Sequence, residues 1–294
     1  MEDLSSQHEL VGELLRGDGA PGDARHRLDE SQVEHFHERG FVSGIPLLNA
    51  TQVELLREEL EAFFDPEHQG RELWHEYHAN ENDDPDAVVF HALGAWRIAP
   101  GFHDLLWHPA FVTAAEQLLD GPVRFWHDQL FCKPPRHGGN VSWHQDYSYW
   151  TRTSPLAHLT CWIALDDTNL DNGCIQYIPG SHQWGLLPVT GLVGDMDHVD
   201  SVLDDAQREA MANPVPVELK AGECTFHHAM LMHGSARNRT DRPRRGAVIN
   251  VVRDGVMSTV DEPLLEGQPS IGAGNPLAGR FHPLLSRDTP KGNA

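Results

Sequence analysis

Val141-Ser142-Trp143-His144-Gln145-Asp146-Tyr147 sets an imidazole and a carboxylate two residues apart inside a run of aromatics. Residues i and i+2 of an extended segment point to the same side, so His144 and Asp146 can reach one metal ion together. A third ligand would complete a 2-His-1-carboxylate set, which holds iron(II) on one face and leaves coordination positions open. The candidate is His233, in Leu231-Met232-His233-Gly234-Ser235, 87 residues after Asp146. A β-barrel returns a chain across such a separation. With 20 His present, an H-x-D triplet arises readily by chance. What sets this one apart is the pattern that follows His233. His227 and His228 are rival ligands, but only His233 is followed at short spacing by Ser235 and Arg244.

The surrounding texture predicts such a barrel. From Gly121 the chain becomes short β-rich runs bounded by Gly, Pro, Asn and Asp. They cover about 123–133, 141–144, 158–165, 174–178, 215–219, 223–227 and 246–253. Many short strands separated by turns indicate a sandwich or closed barrel. Before them, capped periodic segments predict helices at 29–39, stopped by Gly40, at about 49–63, and at 109–119. Helices first and strands after give an α+β class with one β core. The acidic stretch 65–90 reads as a loop and residues 1–27 as a flexible segment. Residues 186–213, with a helix-like piece at 204–212, form an insertion long enough for a lid or a surface decoration. The tail from Asp261 is rich in Gly and Pro.

Composition narrows the function classes. The net charge is -22, with Lys only at 133, 220 and 291, which argues against nucleic acid and anionic membranes as partners. No window approaches 18 apolar residues and the N-terminus has no apolar signal region. Cys132, Cys161, Cys174 and Cys224 have no C-x-x-C spacing and sit in apolar runs, as buried free thiols of a reducing compartment would. The expectation is a cytoplasmic protein. Nothing in the sequence reports its oligomeric state.

A 2-oxo acid that chelates iron through its keto oxygen and one carboxylate needs a cation for its far carboxylate, best an Arg fork. Arg244 lies eleven residues after His233, where the next strand begins, and Arg245 beside it points to the other face. Ser235 offers a hydroxyl to the same carboxylate. For a lone Arg the simpler role would be a surface residue in a basic turn.

Taken together these motifs resemble the phytanoyl-CoA dioxygenase family of iron(II)/2-oxoglutarate-dependent oxygenases. The likeness runs from about Leu28 to Val252. It is carried by Trp143-His144-Gln145-Asp146, by Leu170-Asp171-Asn172-Gly173-Cys174 leading into Ile178-Pro179-Gly180-Ser181-His182, and by His233-Gly234-Ser235 with Asn238 and Arg244. The resemblance implies a double-stranded β-helix, a cupin-like jelly roll, over about 121–253. N-terminal helices would pack on one sheet, in a single domain of about 28–260. It implies His144, Asp146 and His233 as iron ligands, Arg244 and Ser235 as the 2-oxoglutarate clamp, and Trp162 beside that cosubstrate. Lys133 and Gln129 fall on a strand lining the same pocket, on one face with His127 and Phe131. The Asn172-Gly173 and Pro179–His182 pieces are most simply turns.

The activity implied is hydroxylation of a small molecule by dioxygen, with 2-oxoglutarate decarboxylated to succinate. Related halogenases replace the ligand carboxylate with a small residue, so Asp146 favours hydroxylation; desaturation or ring formation stays open. Tyr147, Tyr149 and Trp150 would line a site for an apolar or flat substrate. The scarcity of Lys argues against a CoA thioester. Two other classes remain. A cupin-like metalloenzyme not using 2-oxoglutarate predicts a dispensable Arg244, and a silent binding protein predicts no iron-dependent turnover.

Overall fold

The computed structural model describes residues 1–16 and 24–286. Among the described residues five α-helices fall in chain order at Glu30–Arg39 (α1), Ala50–Ala62 (α2), Pro100–Leu105 (α3), Pro109–Leu119 (α4) and Asp205–Met211 (α5). Three begin at capping boxes: Asp29 with Gln32, Asn49 with Gln52, and Asp204 with Gln207. In each, a side-chain oxygen accepts an orphan N–H of the first turn while the Gln reaches back to the cap N–H. Gly40 ends α1 in the left-handed region, φ 87°.

The strands form two main antiparallel sheets. β1 (Phe41–Pro46), β2 (Glu76–His78), β3 (Phe90–Leu93), β4 (Val123–Lys133), β7 (His158–Ala164), β10 (Glu223–His228) and β12 (Arg244–Arg253) make a seven-stranded sheet. Its order is β1-β10-β7-β12-β4-β3-β2. β5 (Val141–His144), β8 (Ile175–Tyr177), β9 (Val215–Val217) and β11 (His233–Ser235) make a four-stranded sheet, β5-β11-β8-β9. Thr153–Ser154 (β6) and Met257–Ser258 (β13) pair separately. The chain is α+β with antiparallel sheets.

Period-2 alternation splits the large sheet between two environments. Leu159, Cys161 and Ile163 of β7 share one buried cluster with Phe226, Ile249, Leu56 and Leu60 of α2, and Phe111 of α4. Trp162 and Ala164 of the same strand turn the other way. They join Val248 and the smaller sheet's Ile175 and Tyr177. A strand buried on both faces reads as a continuous apolar run, which is why 158–164 stands out in the sequence. Full burial of side chains such as Phe226 and Leu56 stabilises by about 1.5–3 kcal/mol each.

Two regions differ from the sequence reading, while the Gly- and Pro-rich tail packs on the core as that reading allowed. The stretch read as a loop contains β2, and β3 begins at its end; β3 exists because β4 pairs with it, Phe90 opposite Cys132 and His91 opposite Phe131. Residues 1–16, read as flexible, are tied down: Leu14 and Leu15 are buried, Gln52 donates to Leu14 O (2.8 Å), and Asp3 pairs with Arg97 (2.6 Å). The remainder of that segment through residue 23 lies outside the described residues. The tail is docked, with Leu264, Leu277 and Leu285 buried. The four cysteines are buried and form no disulfide.

Candidate metal centre and cosubstrate pocket

Strand register builds the site. β11 lies between β5 and β8, and His233 stands directly opposite His144, their ring centroids 4.1 Å apart. Asp146 follows β5 in a 3-10 turn whose path is set by the buried Gln145. Gln145 Nε2 donates to Met230 O (3.0 Å) and Gly185 O (3.3 Å), and its Oε1 accepts from Leu187 N (2.8 Å). Ser181 Oγ accepts from Met232 N (2.8 Å) and so fixes the residue before His233. His144 Nε2 and His233 Nε2 each come to 3.6 Å from Asp146 Oδ1. The three ligand atoms lie within 4.8 Å of one another, all on buried residues.

The donor set fits a divalent cation. His144 Nδ1–H donates to Ser142 O (2.7 Å) and His233 Nδ1–H to Leu231 O (2.9 Å). That tautomer leaves each Nε2 with a bare lone pair aimed at the centre. Burial raises the Asp146 pKa, but the surrounding imidazoles outweigh it and hold the carboxyl well below its usual range. Burial also holds His233 well below the ordinary histidine value, so its ring is neutral. Two imine lone pairs and a carboxylate oxygen repel one another unless a cation sits between them. His227, the rival ligand, is occupied elsewhere: its Nε2 lies 3.1 Å from Asp146 Oδ2 and its Nδ1 2.9 Å from Tyr177 OH.

The cavity that holds the triad also holds a buried cation. Arg244 opens β12 and is 2% exposed, with its guanidinium 4.7 Å from the centre of the Trp162 ring. Among the described residues its Nε and Nη1 have no hydrogen-bond partner. Burial lowers its pKa from 12.5 to about 10, which still leaves it cationic at neutral pH. Arg245 points the other way and grips Asp166 (2.8 and 2.9 Å). Gly246 makes room for the stack, because a Cβ there would lie 2.3 Å from Trp162 Cζ2. Lys133 does not line the cavity. Its Nζ lies within donating distance of Ser235 Oγ (2.6 Å), Ser235 O (3.0 Å) and Ala236 O (2.6 Å), and burial, with the Arg244 charge nearby, holds its pKa well below the ordinary lysine value. The Lys133 reading is corrected accordingly: it stands behind Ser235, and by occupying that oxygen's lone pair it leaves the hydroxyl proton to donate into the cavity.

The cavity is about 530 Å³ and takes in the triad, Arg244, Ser235 and Trp162. Gln129 lines it and accepts from His91 Nε2 (3.3 Å). Tyr149 lines it too, 39% exposed, with its ring edge-on to His144 at 6.0 Å. Trp150 borders it while packing edge-on against His127. Tyr147 does not line it: its ring packs against the cluster of Trp126, Trp150 and Leu264, and its hydroxyl donates to Thr153 O (2.7 Å). The 3-10 turn that begins at Asp146 rotates it away: Gln145 is still extended, so the alternation holds from His144 to Asp146 and fails beyond it.

Sequence reading missed Trp126, Asn250 and Thr160 as lining residues, and the mouth formed by Glu76, Glu81, Arg152 and Glu266. Asn250 stands opposite His127, which the face shared with Gln129 had marked. A register shift beside that pair leaves Trp126 as the extra residue, and a bulge re-aims side chains in a way no period-2 rule anticipates. Of residues 186–213 only Leu192 reaches the cavity; Val199 and Leu203 pack instead with Trp143 and Ile178. The mouth is bordered by residues 263–266, tied down by Arg152, which donates to Pro263 O (3.0 Å) and Leu264 O (2.6 Å).

Comparison with known proteins agrees with this geometry. The phytanoyl-CoA dioxygenase family pattern matches residues 36–246. L-proline trans-4-hydroxylase of Streptomyces griseoviridis is 28% identical over 203 residues, 61% of this chain and 75% of that protein. Phytanoyl-CoA dioxygenase domain-containing protein 1 of Mus musculus is 31% identical over 167 residues, 56% of each chain. Other curated relatives likewise match over about half their length. Among solved structures, the non-heme alpha-ketoglutarate-dependent carbocyclase SnoK from nogalamycin biosynthesis superposes with a TM-score of 0.70 at 25% identity. That match covers 91% of this chain and 100% of SnoK. With a family match over most of its length and the His-Asp-His set assembled, the chain belongs to the phytanoyl-CoA dioxygenase family.

Proposed function

We propose that this chain is an iron(II)- and 2-oxoglutarate-dependent dioxygenase that hydroxylates a small organic molecule. One observation carries the reading. Among the described residues, three metal-ligand atoms converge beside a buried guanidinium with unpartnered N–H groups, in one cavity. A metal site alone does not call for a buried unpaired cation; a chelating dicarboxylate calls for both. His144, Asp146 and His233 would hold iron(II), Arg244 and Ser235 the far carboxylate, and the Trp162 face would pack against the cosubstrate. The two sheets and their shared inner cluster support a double-stranded β-helix, with α2 and α4 backing the larger sheet. A single domain fits this core, and it reaches past about 28–260, since Leu14, Leu15 and Leu285 share the main buried cluster. Buried unpaired thiols are in keeping with a cytoplasmic setting.

Bound iron(II) would supply the oxidative decarboxylation of 2-oxoglutarate by dioxygen and the oxidation of a substrate C–H bond. The chain's own part is positioning. The Nδ1–H bonds fix both ligand rings, the Arg244 charge orients the cosubstrate, and the aromatic wall of Tyr149, Trp150 and Trp126 excludes water and seats the substrate. Glu76, Glu81 and Glu266 against Arg152 give the mouth a negative balance, which disfavours the phosphates of a CoA thioester.

The test is anaerobic addition of iron(II) and then 2-oxoglutarate to the apo-protein, watching the visible charge-transfer band of a chelated 2-oxo acid. The band should appear in wild type, vanish in His233→Ala and need far more 2-oxoglutarate in Arg244→Ala. Iron binding without the band would point to a cosubstrate-independent metalloenzyme, and no iron binding would sink the metal reading.

A further inference from the structure

We infer that His227 and Thr160 are positioning residues: together they clamp the outer oxygen of Asp146, so that the carboxylate meets the metal through Oδ1 alone. The inference rests on the metal reading above and deepens it. Thr160 of β7 and His227 of β10 stand directly opposite each other on one ladder. Thr160 Oγ1 donates to Asp146 Oδ2 at 2.6 Å, and His227 Nε2–H donates to the same oxygen at 3.1 Å. Neither bond involves Oδ1, the oxygen that faces His144 Nε2 and His233 Nε2.

The clamp has a backing of its own. His227 Nδ1 lies 2.9 Å from Tyr177 OH, and Tyr177 is the residue opposite His233 across β8 and β11. The Asp146 carboxylate oxygen can only accept, so His227 Nε2 carries the proton and the bare Nδ1 accepts from the Tyr177 hydroxyl, whose contact there (2.9 Å) is shorter than its contact with Thr225 Oγ1 (3.3 Å). All four residues of this relay, from Thr225 through Tyr177 and His227 to Thr160, are buried. They tie Asp146 to the same ladder rows that set the metal histidines.

The physical consequence concerns geometry. A carboxylate with both oxygens free rotates about its terminal bond and readily takes a cation with both. Two donors on Oδ2 fix the plane and keep that oxygen occupied. A bound metal would then take one bond from Asp146 rather than two, which would leave a position for cosubstrate or dioxygen. Removing the donors would cost affinity, because the ligand loses its orientation, and would change the coordination spectrum.

The experiment titrates Co(II) into the full-length apo-protein and follows binding by calorimetry and by the d–d absorption bands. The proteins are wild type, His227→Leu, His227→Gln, which keeps an N–H near the Nε2 position, and Thr160→Val. The clamp predicts a Co(II) Kd raised about 10- to 100-fold in His227→Leu with shifted d–d bands. It predicts recovery of most of that loss in His227→Gln, and an intermediate loss in Thr160→Val. A purely structural His227 would lower thermal stability and leave Co(II) affinity and spectrum at wild-type values, which would overturn the inference alone. If His227→Leu yields no folded protein, Thr160→Val decides: wild-type affinity and bands in it overturn the clamp. Failure of wild type itself to bind Co(II) would overturn the metal reading and the clamp with it.

Discussion

Replacing Arg244 with Met should stabilise the ligand-free protein while removing most of its affinity for 2-oxoglutarate. The guanidinium is buried and its pKa falls from 12.5 to about 10. That depression means the cation destabilises the fold at every pH below 10, and the cost disappears only as the arginine deprotonates between 10 and 12.5. At about 1.4 kcal/mol per pKa unit the cost is about 3 kcal/mol. Stacking on Trp162 returns about 0.5–2 kcal/mol. Met fills a similar volume without the charge, so the net gain should be about 1–2.5 kcal/mol, or roughly 2–4 °C in Tm for a chain of this size. On the binding side, removing one partner of a buried charge pair costs about 2–5 kcal/mol, a loss of roughly 30-fold to several thousand-fold in affinity. Thermal unfolding of the metal-loaded protein with and without 2-oxoglutarate reads both effects at once. Wild type should gain about 2.7 kcal/mol at 2-oxoglutarate about 100-fold above its Kd, and the variant at the same concentration less than about 1 kcal/mol. A variant less stable than wild type without ligand, yet still stabilised by 2-oxoglutarate, would refute the reasoning.

Gly246→Ala should cost about 1–3 kcal/mol and weaken 2-oxoglutarate binding from a distance, since the new methyl displaces the ring on which Arg244 rests; unchanged stability by denaturant titration would show the ring has slack. Tyr149→Phe and Tyr149→Ala should alter KM for the primary substrate with little change in stability. Tyr147→Phe should do the reverse, losing about 1 kcal/mol with the bond to Thr153 and leaving KM alone. Acid should unfold the protein steeply. Burial holds His75, His228 and His282 at about 4 and His127 and His158 at about 3, so the stability their neutral forms confer is complete above pH 6.5 and lost as pH falls toward those values. Glu59, raised to about 7, and Asp128, raised to about 6, both by burial, act in the opposite sense. Five groups against two leave a net loss of up to about 4 kcal/mol per pH unit between pH 6 and 4.5. A denaturation midpoint flat across that range would contradict this.

Much of the architecture was legible because local physics dictates it. The capping boxes at Asp29 and Asn49, Gly40 after α1, and the turn-bounded apolar runs from residue 123 onward each encode their element within a few residues. The edge strand β2 and its neighbour β3 were not legible, being three and four residues long: β3 is defined by its pairing with the distant β4, and β2 by its pairing with β3.

The site divides along the same line. The ligand types and their i, i+2 spacing, the Ser two residues after His233 and the Arg at the head of a strand are properties of nearby residues, so the chain order alone carried them. What the order leaves open is which partner each side chain meets. Tyr147 and Tyr149 look equivalent in sequence, yet the turn after Gln145 sends one to the core and the other to the cavity. Lys133 shares a face with Gln129, yet its Nζ is spent on Ser235 and Ala236. The roles of His227, Thr160 and Asn250, and the tail rather than the insertion at the mouth, arise from register between strands tens of residues apart. Long-range register is chosen by total burial over both sheets, an energy that no short window of sequence contains.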